Sequence, residues 1–223
     1  MATIKAWHFM AADRRLGYGD GRLMRKGQTL RVAGKPVMCG HGLHGSRRII
    51  AALGYAVGPI ICRVEIGGDI VEYADKLVGN TRKTLWWIDG TMLLREFACR
   101  VAEDALRVAG VKDERCWNAI NVARRRIKGE ATDKELSAAM SAAESAAWGA
   151  AESAAWSAAM SAAESAARSA AESAAMSAAW GAARSAAESA ALSAAWGAAR
   201  SAQNRRLTAM VCAANRKNAV LGG

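Results

Sequence analysis

Cys39, His41 and His44 stand close together in the run Cys39-Gly-His-Gly-Leu-His-Gly-Ser46, and a thiol beside two imidazoles is a donor set that can hold zinc. A fourth ligand is missing nearby, and the spacing matches no familiar zinc module. The competing reading makes His44 a hydrogen-bonded turn histidine that orients the loop ahead of Ser46, with Gly42 and Gly45 permitting unusual backbone angles. The second reading is the expectation, so neither a metal nor a cofactor is anticipated. The five cysteines (Cys39, Cys62, Cys99, Cys116, Cys212) are odd in number, widely spaced and mostly in apolar company, which suits reduced thiols better than a disulfide framework.

The elements that must position this loop read as a mixed α and β unit. Residues 4–11 and 29–38 alternate like strands around the turn-rich 16–21, and Ser46 is placed to cap a short helix ending at Gly54. Residues 59–66 form a strongly apolar strand, followed by two more at 69–73 and 83–88. Helices come afterwards. Asp89 caps one that runs to Val108 and stops at Gly110, and a second runs from Asp113 to Gly129. Strands first and helices second predict an α+β domain over residues 1–130.

Residues 39–46, with Arg63-Val64-Glu65, Gly68-Asp69-Ile70 and Asp75-Lys76, resemble an N-terminal domain of unknown function from bacteriophage and bacterial proteins, in which simple repeats often follow. The resemblance covers roughly residues 5–100 and brings no established activity with it. A more remote likeness is to ADP-ribosyltransferase folds: His8 on the first strand and the Gly42, His44, Ser46 element are similar to groups that hold the nicotinamide and ribose of NAD, with Glu65 as the nearest acidic residue. That likeness implies an NAD-binding enzyme as the alternative to a non-enzymatic protein.

From Ser137 to Arg200 the chain repeats [Ser/Gly]-Ala-Ala-x sixteen times without a break, with x drawn from Met, Glu, Trp, Arg and Leu. Close-packed interiors need side chains of varied volume, so no enzyme core is built from such a tract. Alanine's helix propensity and the absence of proline predict a helix, and Thr132 with Glu135 forms a capping box at its start. One continuous helix over 131–204 is the expectation, ~100 Å long at ~1.5 Å per residue. At ~100° per residue, Met140, Trp148, Trp156, Met160, Met176, Trp180, Leu192 and Trp196 share one half of the wheel, a candidate packing interface between copies of the chain. A lone solvated rod would leave that apolar stripe in water, which soluble monomers avoid.

The repeat holds five Glu and three Arg, which leaves +13 on the remainder of a chain whose total is +11. Arg124, Arg125, Arg126, Lys128, Arg205 and Arg206 are the candidate phosphate contacts if the partner is nucleic acid. The bland reading places Arg124–Lys128 at a helix C-terminus, where cations favour the dipole. Residues 205–223 form a basic C-terminal segment. No stretch is long and apolar enough to span a bilayer, and Met1-Ala-Thr-Ile-Lys has no apolar region behind it, so a cytoplasmic location is expected. The whole points to a phage-derived, self-assembling homo-oligomer.

Overall fold

The computed structural model describes residues 3–16, 20–108, 110–149 and 192–221. The chain divides into two compact units, Met1–Thr91 with Asn204–Gly223, and Met92–Gln203.

The first unit is built on a five-stranded antiparallel sheet: β1 (Ile4–Met10), β2 (Thr29–Arg31), β3 (Leu43–Gly45), β4 (Ile60–Glu72) and β5 (Leu77–Asp89). The order is β1-β4-β5-β2, with β3 also paired to β5. Side chains alternate between faces with period two. Ala6, His8 and Met10 lie directly opposite Val64, Cys62 and Ile60, so all six share one face. Trp7 and Phe9 lie opposite Arg63 and Ile61 on the other.

The first face carries a core of Ala6, Met10, Cys62, Val64 and Ile66, clustered with Met24, Leu30 and Leu43. On the second face Trp7 meets Trp86 edge to face at 5.6 Å between centroids, and the Arg63 guanidinium sits 4.6 Å from the Trp7 ring. A short helix, α1 (Ile49–Leu53), buries all five of its residues. Asn204 Oδ1 accepts the Ile50 N–H at 3.3 Å.

The long hairpin β4–β5 absorbs three expected strands. Residues 69–73 are no separate strand: β4 continues through a register shift between Gly67 and Ile70. Gly68 takes φ +81°, and a Cβ there would meet Asn80 Cβ at 2.8 Å. Asn80 holds the bulge by accepting the Asp69 N–H at 2.8 Å and donating to Gly34 O at 2.5 Å. Nor does Ser46 cap α1. Its backbone exchanges hydrogen bonds with Trp7, N–H to Trp7 O at 2.9 Å and O from Trp7 N–H at 2.7 Å, while Arg48 takes the N-cap position without a side-chain bond.

The described part of the second unit contains α2 (Thr91–Val108, of which Met92 onward belongs here), α3 (Glu114–Ile127), α4 (Asp133–Gly149) and the start, through Gln203, of a further helix. The starts of α2, α3 and α4 follow the local chemistry of the sequence. Asp89 Oδ1 accepts the Thr91 N–H at 2.8 Å, and Asp113 Oδ1 accepts the Arg115 N–H at 2.9 Å. Thr132 and Glu135 form the reciprocal pair, with Thr132 N–H to Glu135 Oε2 at 2.7 Å and Glu135 N–H to Thr132 Oγ1 at 3.1 Å. At the end of α3, Glu130 N–H reaches Arg125 O at 2.8 Å and Gly129 N–H reaches Arg126 O at 3.1 Å, which satisfies the last carbonyls.

The expected architecture, a small mixed domain followed by one long Ala-rich helix, is corrected on both counts. The N-terminal region is β-rich, a five-stranded antiparallel sheet. The helix that carries the end of the repeat is α5 (Leu192–Leu221), 30 residues long, which does not stop at Asn204 as expected; residues 150–191, across which the expected helix from Thr132 would run, lie outside the described residues. This helix runs through the supposed boundary at 204 because no Gly or Pro interrupts residues 201–221, and because Leu207 and Val211, one turn apart, are both fully buried in the first unit.

Candidate functional site

The loop singled out by its Cys and His residues is built as a tight turn. Val37 N–H donates to His41 O at 2.7 Å and His41 N–H returns to Val37 O at 2.9 Å. Cys39, at the tip, takes a left-handed backbone with φ +61°, uncommon for a residue with a side chain. Its N–H donates to His44 Nε2 at 3.2 Å. His44, on β3, therefore accepts through Nε2, so the neutral ring carries its proton on Nδ1. Burial holds the His44 pKa below its ordinary value, with the positive charge of Arg82 adding to the effect. His41 turns away, with Nε2 at 2.5 Å from Ala33 O.

The three candidate zinc ligands are thus engaged elsewhere. Among the described residues no group of three or more His, Cys, Asp or Glu side chains is placed to hold a metal. Cys39 Sγ instead receives a hydrogen bond from Lys76 Nζ at 2.8 Å. Lys76 follows the β4 strand in the turn closed by Tyr73 N–H to Lys76 O at 2.8 Å. Its ammonium also lies 4.9 Å from the centroid of the Tyr55 ring, and the Tyr55 hydroxyl donates to Asp75. Beside it, Arg47 pairs with Glu72. A shallow concavity of about 20 Å³ is lined by Arg47, Arg48, Glu72, Tyr73, Asp75 and Lys76, room for about one water.

His8 and Glu65, the other residues of the NAD-binding likeness, are not brought together. His8 is directly opposite Cys62 in an unbroken register, and Glu65 is three residues further along β4, so the two project from opposite faces of the sheet. His8 is held neutral, its pKa well below the ordinary imidazole value through burial first and then through Arg82 and His44. Glu65 stands opposite Lys5 on one side and Lys83 on the other.

Sequence reasoning missed the residue that links the histidines. Arg82 is 2% exposed on the same face as His8, and donates from Nη1 to His44 O at 2.8 Å and from Nη2 to Met24 Sδ at 3.2 Å. Its Nε and the nearby Thr84 Oγ1 have no hydrogen-bond partner among the described residues. Burial lowers its pKa to about 10. The alternation of β5 offered the only sequence signal: Arg82 occupies a core-facing position, directly opposite Leu30 and Ile66.

The basic cluster at the end of α3 is neutralised within the chain. Arg124 pairs with Glu103 at 2.8 Å and Glu96 at 3.5 Å, Arg125 with Glu135 at 3.4 Å, and Arg126 with Asp133 at 2.6 Å. Lys128 closes α3 through its backbone N–H. Arg205 and Arg206 lie on α5, where Arg205 is exposed.

Of the candidate packing residues, Met140 is half-buried against the core formed by α2, α3 and α4. The side chains of Trp148, Leu192 and Trp196, and the whole of Trp156, Met160, Met176 and Trp180, lie outside the described residues. The face of α4 that can be followed is informative. Leu136, Ala139 and Ala143, at spacings of three and four, are buried with Ala119, Ile120 and Ala123 of α3. Small residues there let two helix backbones approach more closely than the usual ~8–10 Å.

No family model, curated protein or solved structure matches the chain. Among the described residues, no helix is long and apolar enough to cross a membrane.

Proposed function

We propose that this chain is a non-enzymatic structural protein of phage type that associates with copies of itself through the Ala-rich tract, in the cytoplasm of the cell that makes it. The observation that carries the reading is the burial of Ala139 and Ala143, at 7% and 1% exposure, in the helix-on-helix core of α3 and α4. The first repeats of the tract thereby serve as a close-packing surface. The further repeats have the same composition, and Trp148, Trp156, Trp180 and Trp196 bring to them the large apolar side chains that dominate interface energetics.

The separation of His8 from Glu65 across the sheet and the neutralised Arg124–Arg126 cluster weigh for this reading over NAD chemistry and over phosphate binding. Light scattering on the chain with all four of these tryptophans changed to Ala tests it. A fall in particle mass relative to the unaltered protein is expected, and an equal mass in both overturns association through these residues.

A further inference from the structure

We propose that Cys39 and Lys76 are a peroxide-responsive modification site, in which the oxidised thiol is captured by the lysine amine to give a sulfenamide cross-link between the 33–45 loop and the β4–β5 hairpin. The two reacting atoms are already in contact, Lys76 Nζ to Cys39 Sγ at 2.8 Å, across 37 residues of sequence. Both side chains are held there by other groups. The Val37–His41 turn and the bond from Cys39 N–H to His44 fix the thiol, while the Tyr55 ring and the turn bond from Tyr73 fix the lysine.

Access separates this thiol from the others. Cys39 is exposed, whereas Cys62, Cys99 and Cys116 are buried and Cys212 is half-buried. Burial pushes the Cys62 thiol up to about 12 and the Cys99 thiol up to about 11, which keeps both out of the reactive anionic form.

The chemistry balances in two steps. Sulfur attacks one peroxide oxygen, the O–O bond breaks, and the thiol becomes a sulfenic acid while peroxide is reduced to water. The Lys76 ammonium gives up a proton to solvent, the freed amine attacks that sulfur, the S–N bond forms as the S–O bond breaks, and hydroxide leaves with a further amine proton as a second water. The protein loses two hydrogens overall. Dithiothreitol reverses the step by attacking sulfur and returning the amine.

Treating the full chain with a modest excess of hydrogen peroxide and measuring intact mass and peptide maps tests the proposal. The expected product is lighter by two hydrogens, with the Cys39 and Lys76 peptides joined and separated again by dithiothreitol. Lys76→Arg keeps a donor against sulfur but offers no nucleophilic amine, so that variant should gain one oxygen at Cys39, trapped by dimedone, and show no joined peptides. Reductive methylation of the lysines in the unaltered folded chain should have the same effect and needs no mutant to fold. Oxygen gain at Cys39 with a free Lys76 in the unaltered chain, or a joined product that persists after Lys76→Arg or methylation, would overturn it.

Discussion

Gly42 and the half-buried His8 and His44 set the local tolerances around the loop. At Gly42 the backbone takes φ +125°, and a Cβ there would meet Val78 Cγ2 at 2.5 Å and Gly79 O at 3.3 Å. Gly42→Ala should therefore lower stability by about 2 kcal/mol, read as a shift in the denaturant midpoint; no shift would mean that the loop can move off β5 freely. His8 and His44 both have folded-state pKa values below the ordinary 6.5, so the unfolded chain binds their protons more readily than the folded one. Their contribution is full above about pH 6.5 and drains away as pH falls below it, before the carboxylates begin to titrate. The thermal midpoint should drop between pH 7 and pH 5.5, and His8→Asn should flatten that drop. A midpoint rising as pH falls through this window contradicts the assignment of neutral rings. At this scale the sequence revealed the ingredients and not the pairings. Cys39, His41 and His44 are neighbours in the chain, yet only Cys39 and His44 are joined, and the strongest partner of Cys39 lies at Lys76, a contact made by tertiary structure alone. Arg82 drew no notice because an arginine between Thr81 and Lys83 reads as an exposed strand residue, whereas pairing with Leu30 and Ile66 turns it inward.

Helices were more readable than strands, because their ends are written in short-range side-chain chemistry. Asp89, Asp113 and the Thr132–Glu135 pair each act within three residues, and each sits where the sequence places a helix start. Thr132→Ala should cost about 1 kcal/mol, and a Thr132→Ser variant should recover most of it in the same thermal melts. The strands were less legible. Gly67-Gly68 looks like a break, but a bulge held by Asn80 carries β4 straight through it. The far end of the repeat was misread for a related reason. Alanine-rich periodicity ends near Arg200, but helix propensity does not, and Leu207 with Val211 provides the apolar pair that draws α5 into the sheet unit. The packing on α4 offers a sharp contrast between its two sides. Ala143→Leu should destabilise by about 1–3 kcal/mol by forcing α3 and α4 apart, while Ala138→Leu on the exposed side should stay within about 0.5 kcal/mol. Equal effects at the two positions would show that the small residues of the first repeats do not pack as a surface.

For the molecule as a whole, charge and composition narrow the range of partners. A total of +11 invites phosphate, but Arg124, Arg125 and Arg126 spend their charge on Glu96, Glu103, Glu135 and Asp133, close to home. Any binding to duplex DNA should therefore survive Arg124→Gln with an unchanged salt slope, and a slope reduced by about one would return that arginine to the phosphate contacts. What remains distinctive is a sheet unit that gathers both the N-terminal strands and the last turns of α5, with sixteen small-residue repeats lying between those pieces in sequence. The first of those repeats already packs helix against helix with alanines. Sedimentation equilibrium of the purified full chain over a range of dilute concentrations measures the consequence most directly. Self-association predicts a mass that is a multiple of 23.5 kDa and falls on dilution only as the complex dissociates; a mass of 23.5 kDa at every concentration would contradict it.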